Sequence, residues 1–217
     1  MGRIFAIGDI HGCLSKLEAL IPQIEIDRDN DTLVFIGDYI DRGDDSKGVI
    51  DFLLDLRERI GTVVCLKGNH EEMFLDYLCN GKNEGMYLLN GGDATIASYG
   101  YRETRGGVKV DVPETHMNFF RSLLLWYETE QYIFVHAGLR DEISLENQDP
   151  SDLLWIRYEF IRSSYDFGKT IVFGHTPVSH AEPLFLPGRI GIDTGAVYGG
   201  PLTCVELLSQ KVYQAQQ

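Results

Sequence analysis

Five short apolar runs in this chain each deliver directly into a compact polar cluster, and that arrangement constrains the fold more than any other feature. Arg3–Ile7 leads into Gly8-Asp9-Ile10-His11-Gly12, and Thr32–Ile36 into Gly37-Asp38-Tyr39-Ile40-Asp41-Arg42-Gly43. Thr62–Leu66 leads into Gly68-Asn69-His70-Glu71, Tyr132–Val135 into His136-Ala137-Gly138, and Thr170–Phe173 into Gly174-His175-Thr176. Near-continuous apolar runs of this length suit strands buried on both faces, where no polar side is needed. In open α/β sheets ligands gather outside the carboxyl ends of the strands, so clusters remote in sequence can converge there.

The segments between the first runs carry helical spacing. Leu14, Leu17, Leu20, Ile21 and Ile24 share one face, and Val49, Ile50, Leu53, Leu54 and Leu56 share another behind a cap at Asp45 or Ser46. Glu71–Leu78 reads as a third helix. The order β-α-β-α-β-α predicts parallel strands with helices packed outside. From about Asn80 to Glu130 the pattern is less regular. Asn90-Gly91-Gly92 is a turn or cap, Arg105-Gly106-Gly107 a loop, and Pro113 can open a helix running towards Trp126. Leu153–Ile161 is an amphipathic helical stretch. Arg189–Asp193, Leu202–Leu208 and Lys211–Tyr213 read as strands, with a turn near Ser209-Gln210. The last strands look antiparallel, so residues 1–217 are expected to form one α/β domain with two sheets.

The 217 residues carry 33 Asp and Glu against 19 Lys and Arg, a net charge of −14. Such a surface argues against nonspecific nucleic-acid or anionic-membrane binding, which want basic patches. An anionic substrate would need bound cations or buried arginines to reverse the field locally. Cys13, Cys65, Cys79 and Cys204 form no CxxC pair, so zinc-finger and redox-motif readings fail, and Cys65 and Cys204 read as core residues. No apolar run approaches the roughly 18 residues that a bilayer span needs, and the first polar cluster comes too early for a signal peptide. The cytoplasm is the expected compartment.

The clusters supply the parts of a metal-assisted reaction. Asp9 and His11, two apart on what reads as an extended segment, can chelate one ion. Asp38 is a second carboxylate, and Asn69, His136 and His175 add oxygen and imidazole nitrogen. With no thiolate the set suits Mn²⁺, Fe or Zn²⁺. Two ions need one bridging carboxylate, here assigned to Asp38. His70 diverges from Asn69 and is free to act as a general acid, with Asp41 to hold its tautomer and raise its pKa. Arg42, and Arg157 in the sixth cluster Trp155-Ile156-Arg157, can clamp phosphoryl oxygens with forked hydrogen bonds. Singly, each of these residues has an ordinary structural explanation; their joint occurrence at strand ends does not. Gly168-Lys169-Thr170 ends like a P-loop, but Ser163 stands where the earlier glycine is required. His116 and His180 belong to no cluster and read as surface or loop residues, His180 close enough to line the rim.

These motifs resemble those of the phosphoprotein phosphatases within the calcineurin-like metallophosphoesterases, most nearly the bacterial and lambda-phage-type members. Leu88-Leu89-Asn90-Gly91-Gly92, Leu154-Trp155-Ile156-Arg157, Gly174-His175-Thr176-Pro177 and Ile192-Asp193-Thr194-Gly195-Ala196-Val197-Tyr198 extend the likeness over most of the chain. The resemblance implies an αββα sandwich, two central mixed sheets flanked by helices, with two divalent metals at one sheet edge. Mn²⁺ comes first, with Fe, Zn²⁺ or Co²⁺ as alternatives. By position, Asp9, His11 and Asp38 would hold one metal, and Asp38, Asn69, His136 and His175 the other. His70 would be the proton donor paired with Asp41, and Arg42 and Arg157 would bind phosphate, with a metal-bridging hydroxide attacking in line.

The function this implies is serine/threonine, and by extension tyrosine, protein phosphatase activity. The alternative is symmetrical hydrolysis of diadenosine tetraphosphate, whose enzymes share the Asp193-Thr194-Gly195 tail with Gly199-Gly200. Those enzymes typically lack the aspartate of the Asp41-Arg42-Gly43 triplet and carry a longer insertion before the last histidine, so both departures favour the phosphatase branch. A silent metal- or phosphopeptide-binding relative is disfavoured by the complete residue set. The expected partner is a phosphorylated protein or small phosphoester, with neither nucleic acid nor membrane; oligomeric state and native substrate are not encoded in any motif.

Overall fold

A computed structural model describes residues 2–81, 83–104, 107–178 and 181–216. Strands β1 (Ile4–Ile7), β2 (Thr32–Phe35) and β3 (Thr62–Cys65) run parallel, with Ile4 beside Thr32 and Thr32 beside Thr62. Helices α1 (Leu14–Leu20) and α2 (Ser46–Arg59) make the crossovers. Helix α2 starts where Asp45 accepts the Gly48 N–H at 2.7 Å, so the cap expected at Asp45 or Ser46 falls on Asp45. Helices α3 (Asn69–Asn80), α4 (Glu84–Leu89) and α5 (Gly92–Tyr99) follow. Then come the hairpin β4 (Tyr101–Thr104) and β5 (Gly107–Val110), and helix α6 (Glu114–Arg121).

A second sheet gathers β6 (Trp126–Glu128), β7 (Tyr132–Val135), β8 (Thr170–Phe173), β9 (Leu184–Leu186) and β10 (Arg189–Gly191). Helices α7 (Pro150–Trp155) and α8 (Tyr158–Ile161) lie between β7 and β8. Strands β11 (Leu202–Glu206) and β12 (Lys211–Ala215) return to the first sheet, antiparallel as expected. The sheets run β12-β11-β1-β2-β3 and β6-β7-β8-β10-β9, each mixed.

Strand alternation builds the layers. Phe5, Ile7, Leu33 and Phe35 face the helices with Leu17, Val49, Leu53 and Phe74. Ala6, Val34 and Ile36 point the other way and meet Phe134, Val172 and Ile190 of the second sheet. The outer face of that sheet, Ile133, Val135, Ile171 and Phe173, is covered by Leu153, Ile156 and Phe160. Two sheets with a shared dry seam, flanked by helices, give the four layers that the sequence implied. Because β1, β2, β3, β7 and β8 all end at one rim, their polar clusters meet there.

Several local readings differ. Helix α6 stops at Arg121 rather than near Trp126, because the chain turns out to bridge Leu124 with Leu66 before Trp126 enters β6. The stretch Leu153–Ile161 breaks in two at Ile156–Arg157, where Arg157 has φ −129° and ψ −105°. Strands β4, β5, β6 and β9 are too short and polar, or too near turns, to stand out by periodicity. Of the expected loop Arg105-Gly106-Gly107, Gly107 opens β5, and the other two lie outside the described residues, as does His180. Among the described residues, no helix is long and apolar enough to cross a membrane.

His116 is a correction. Far from being a surface or loop residue, it is buried in α6, with Nδ1 2.9 Å from the Tyr99 hydroxyl and Nε2 3.0 Å from Asp51. The amphipathic spacing that puts Phe119 and Phe120 in the core carries His116 inward one turn earlier, where Tyr99 and Asp51 satisfy its ring. Burial lowers the imidazole below its ordinary pKa, against the pull of Asp51. Its stabilising effect is therefore complete above about pH 6.5 and declines as pH falls, because the unfolded chain takes the proton more readily. His116→Ala is expected to lower unfolding stability by about 2 kcal/mol at pH 7 and by less at pH 5. Urea denaturation at both pH values measures this; an equal loss at the two would refute the assignment.

Candidate active site

The loops that follow the strands are laced together before any side chain is considered. The N–H groups of Ile10 and His11 both donate to the Asp38 carbonyl, at 3.0 and 2.8 Å, and Gly12 donates to Tyr39 at 2.8 Å. Glu71, buried on the first turn of α3, accepts N–H bonds from Asp38 and Gly68 at 2.9 Å each and from Tyr39 at 2.8 Å. It thereby fastens the turn after β2 to the start of α3. His11, Asp38, Asp41, Arg42 and His175 all have positive φ (47°, 52°, 71°, 70° and 62°). Non-glycine residues occupy that region only where surrounding structure enforces it, and they concentrate at functional sites. His11 therefore does not continue an extended segment from Asp9; the chain turns at it.

Glycines set the spacing. A Cβ on Gly68 would overlap Asp38 Oδ1, and one on Gly174 would overlap Asp9 Oδ1. Neither glycine has a left-handed φ; each is there because a carboxylate lies against its Cα.

The imidazoles are oriented by backbone carbonyls. His11 Nδ1 lies 2.9 Å from Ile40 O, and His136 Nδ1 lies 2.9 Å from Ile36 O. Each Nδ1 must donate there, so each Nε2 presents a lone pair. His136 Nε2 faces Asn69 Oδ1 at 2.9 Å and Asp38 Oδ1 at 3.4 Å, while His11 Nε2 faces Asp38 Oδ2 at 3.4 Å. The two oxygens of Asp38 thus look towards different ligand sets. Among the described residues, two groups of donor atoms lie close enough to hold an ion: His11, Asp38 and His70, and Asp38, His136 and His175. Asp38 belongs to both. Asp9 is in neither; its carboxylate accepts the His175 N–H at 3.0 and 3.3 Å.

These residues fit divalent cations. Both ring nitrogens of His175 are buried without a hydrogen-bond partner among the described residues. His136 Nε2 and Asn69 Oδ1, two acceptors, face each other at hydrogen-bonding distance. Burial lowers His11 to about 3 and His175 to about 2, and lowers His136 as well, so the imidazoles are in the neutral, ligating form. Burial would raise Asp38, but His136, His70, His11 and His175 outweigh it and hold the carboxyl well below its usual range. Burial pushes Asp9 well up, with Asp193 and Asp38 adding repulsion, and pushes Asp193 up to about 6. Crowded buried carboxylates and neutral imidazoles with lone pairs turned inward form an arrangement that positive charge relieves.

Beside them stands a buried histidine–aspartate pair. His70 Nδ1 lies 2.7 Å from Asp41 Oδ2, with both side chains buried. The other Asp41 oxygen accepts the hydroxyls of Thr95 at 2.6 Å and Tyr87 at 2.9 Å, and the Asp41 N–H reaches Thr95 Oγ1 at 2.8 Å. Burial would lower the His70 pKa, but Asp38 and Asp41 outweigh it and the net shift is upward.

Arg42 and Arg157 come from opposite walls. The Arg42 N–H bonds to Gly91 O at 3.0 Å, and its guanidinium Nη1 lies 2.7 Å from His11 Nε2. Arg157, half-buried at the break between α7 and α8, donates to His175 O at 3.0 Å. Between them lies a cleft of about 110 Å³, reached by Asp38, Asn69, His70, Trp155, His175 and Tyr198.

This centre, at the rim of paired mixed sheets, agrees with the family comparison. The chain belongs to the calcineurin-like phosphoesterase family. The family model matches residues 2–208. The chain is 29% identical over 214 residues to serine/threonine-protein phosphatase 1 of Salmonella typhimurium, covering 94% of this chain and 92% of that one. It is 30% identical over 222 residues to the asymmetrical bis(5'-nucleosyl)-tetraphosphatase PrpE of Bacillus subtilis, covering 91% and 87%. Among solved structures, a candidate diadenosine tetraphosphatase superposes with TM-score 0.73 at 23% identity, covering 99% and 93%. A cold-active protein tyrosine phosphatase superposes with TM-score 0.59 at 20% identity, covering 95% and 74%, and these two likenesses speak to fold alone.

Sequence reading missed Glu71, Tyr87 and Thr95 as parts of the centre. Glu71 stood in a recognised cluster but had no assigned task; Tyr87 and Thr95 carry no motif and are recruited by the packing of α4 and α5. Glu71→Gln keeps the volume but turns one acceptor into a donor facing backbone N–H groups. It is expected to weaken Mn²⁺ binding by roughly 10–100-fold while the protein stays folded. Calorimetric titration beside circular dichroism measures this, and wild-type affinity in the folded variant would refute it.

Proposed function

We propose that this hydrolase-family chain is a binuclear-metal phosphomonoesterase acting on phosphoserine and phosphothreonine in proteins, with phosphotyrosine as a further substrate. The observation that carries the reading is Asp38, whose two oxygens face separate ligand sets beside the His70–Asp41 pair. The metal set is Asp9, His11, Asp38, Asn69, His136 and His175, loaded with Mn²⁺ first; Asp9 joins it with a carboxylate that already orders His175. The family match over residues 2–208 supports reading residues 1–217 as one domain.

Two divalent ions, when bound, supply Lewis-acid activation of water and charge neutralisation at phosphorus. The chain's own residues do the rest. Arg42 and Arg157 orient the phosphoryl oxygens from opposite walls. Asp41 holds Nδ1–H of His70, so Nε2 carries the proton given to the departing oxygen, and the upward shift from Asp38 and Asp41 favours the protonated form. Thr95 and Tyr87 fix Asp41 in turn. The small cleft admits a phosphoryl group and leaves the remainder of a substrate outside, as a folded or flexible protein would require.

A second reading, dinucleoside polyphosphate hydrolysis, draws support from relatives such as the Bacillus subtilis protein. That relative is named for asymmetrical cleavage, whereas the alternative expected from the sequence is the symmetrical one. Turnover of diadenosine tetraphosphate in Mn²⁺ is to be compared with turnover of a phosphopeptide. Higher kcat/KM on the peptide, with inorganic phosphate released, is the expected result. Preference for the dinucleotide would transfer the function, with two ADP marking symmetrical cleavage and ATP plus AMP asymmetrical cleavage. His70→Ala is expected to retain metal by elemental analysis while kcat falls roughly 10²-fold or more; full activity would remove His70 from the acid role.

A further inference from the structure

Two large aromatic side chains remain in water at the mouth of the cleft: Tyr198, 64% exposed, and Trp155, 40% exposed. Rings left exposed at the edge of a polar site mark a surface that something else covers. Trp155 stands on the Arg157 wall, edge-on to His175 with ring centroids 5.9 Å apart. Tyr198 stands on the Arg42 wall and is held there firmly. It ends a single 3₁₀ turn, Ala196–Tyr198, between Gly195 and Gly199, whose φ values of 72° and 90° a side chain would resist. Its N–H bonds to Gly195 O at 2.9 Å. Lys16 reaches across from α1 to bond Ala196 O at 2.8 Å and Gly200 O at 2.6 Å, and the Thr194 hydroxyl bonds Pro201 O at 2.7 Å.

One face of the Tyr198 ring is taken by Arg42, whose guanidinium carbon lies 5.5 Å from the ring centroid. The same guanidinium reaches into the site at His11. A phosphoryl group gripped by Arg42 therefore has a rigid aromatic ring at its shoulder, with most of its surface free. Stacking on such a ring needs a planar partner and ignores hydrogen-bond pattern. We propose that Tyr198 is a specificity-determining platform that stacks a planar aromatic group lying next to the reacting phosphoryl group of the substrate. That chemistry has two sources, an aromatic side chain flanking a phosphoresidue or the base of a nucleotide. The inference rests on the reading of the centre as a phosphoesterase.

The test uses two substrate pairs in Mn²⁺. One pair is phosphoserine peptides with tryptophan or alanine beside the phosphoserine; the other is diadenosine tetraphosphate and inorganic tetraphosphate. At least one pair is expected to favour its aromatic member about tenfold in kcat/KM, expressed mainly in KM. That ratio should fall towards one in Tyr198→Ala and return in Tyr198→Trp, which a general loss of structure would not produce. The pair that shows the ratio identifies the source of the planar group. Ratios near one in both pairs with wild-type turnover intact, or a ratio that survives in Tyr198→Ala, would overturn the platform. Absence of turnover on all four substrates would overturn the hydrolase reading and this inference with it.

Discussion

The centre depends on a buried carboxylate whose hydrogen bonds all go to backbone N–H groups. Glu71 accepts backbone N–H groups from Asp38, Tyr39 and Gly68, and so joins the turn after β2 to the first turn of α3. Bonds from backbone N–H groups to a buried carboxylate are strong because the low-dielectric surroundings do not screen them. Burial and the nearby Asp38 charge push Glu71 up to about 8 nonetheless, so the clamp works against the negative charge it sits beside. Cations at Asp38 would ease that repulsion, which links the integrity of the clamp to the occupancy of the ligand sets.

Around that clamp the backbone is held in conformations it would not choose. Left-handed residues at His11, Asp38, Asp41, Arg42 and His175 each cost free energy on the order of 1 kcal/mol or more. Three buried apolar layers, running from the helices through the seam of Ala6, Val34 and Phe134 to Phe160, provide the stability against which that cost is set. The arrangement explains why the clustered polar groups sit on turns yet remain fixed: each turn is anchored by a parallel strand on one side and by bonds to a neighbouring turn on the other.

Much of this was legible in the amino-acid order, for identifiable reasons. Strands β1, β2, β3, β7 and β8 are uninterrupted apolar runs, each followed within three residues by glycine or histidine, so both the sheets and the rim of polar clusters could be read directly. The pairing of His70 with Asp41 also followed from residue types. Side chains recruited by packing were not legible. Tyr87 and Thr95 reach Asp41 only because α4 and α5 fold across it, and nothing local distinguishes them from core residues. His116 looked unattached because its partners, Tyr99 and Asp51, lie 17 and 65 residues away. The break at Arg157 escaped periodicity because both halves of the stretch keep their apolar face towards β7 and β8. Arg42 was expected to clamp phosphate, and sequence reading did not foresee that its guanidinium meets His11 and Tyr198.

Gly68 and Gly174 carry a wider consequence. Neither is needed for a turn of unusual hand, and neither has any chemical group to offer, yet the space beside each Cα is filled by the carboxylate of Asp38 or Asp9. Their hydrogen atoms are part of the wall against which these carboxylates pack. Tolerance to amino-acid change in this chain is therefore not graded by chemical activity: a residue without a side chain is as tightly specified as a ligand. An engineer seeking to reshape the centre would find freedom at the mouth, around Trp155 and Tyr198, and almost none along the floor.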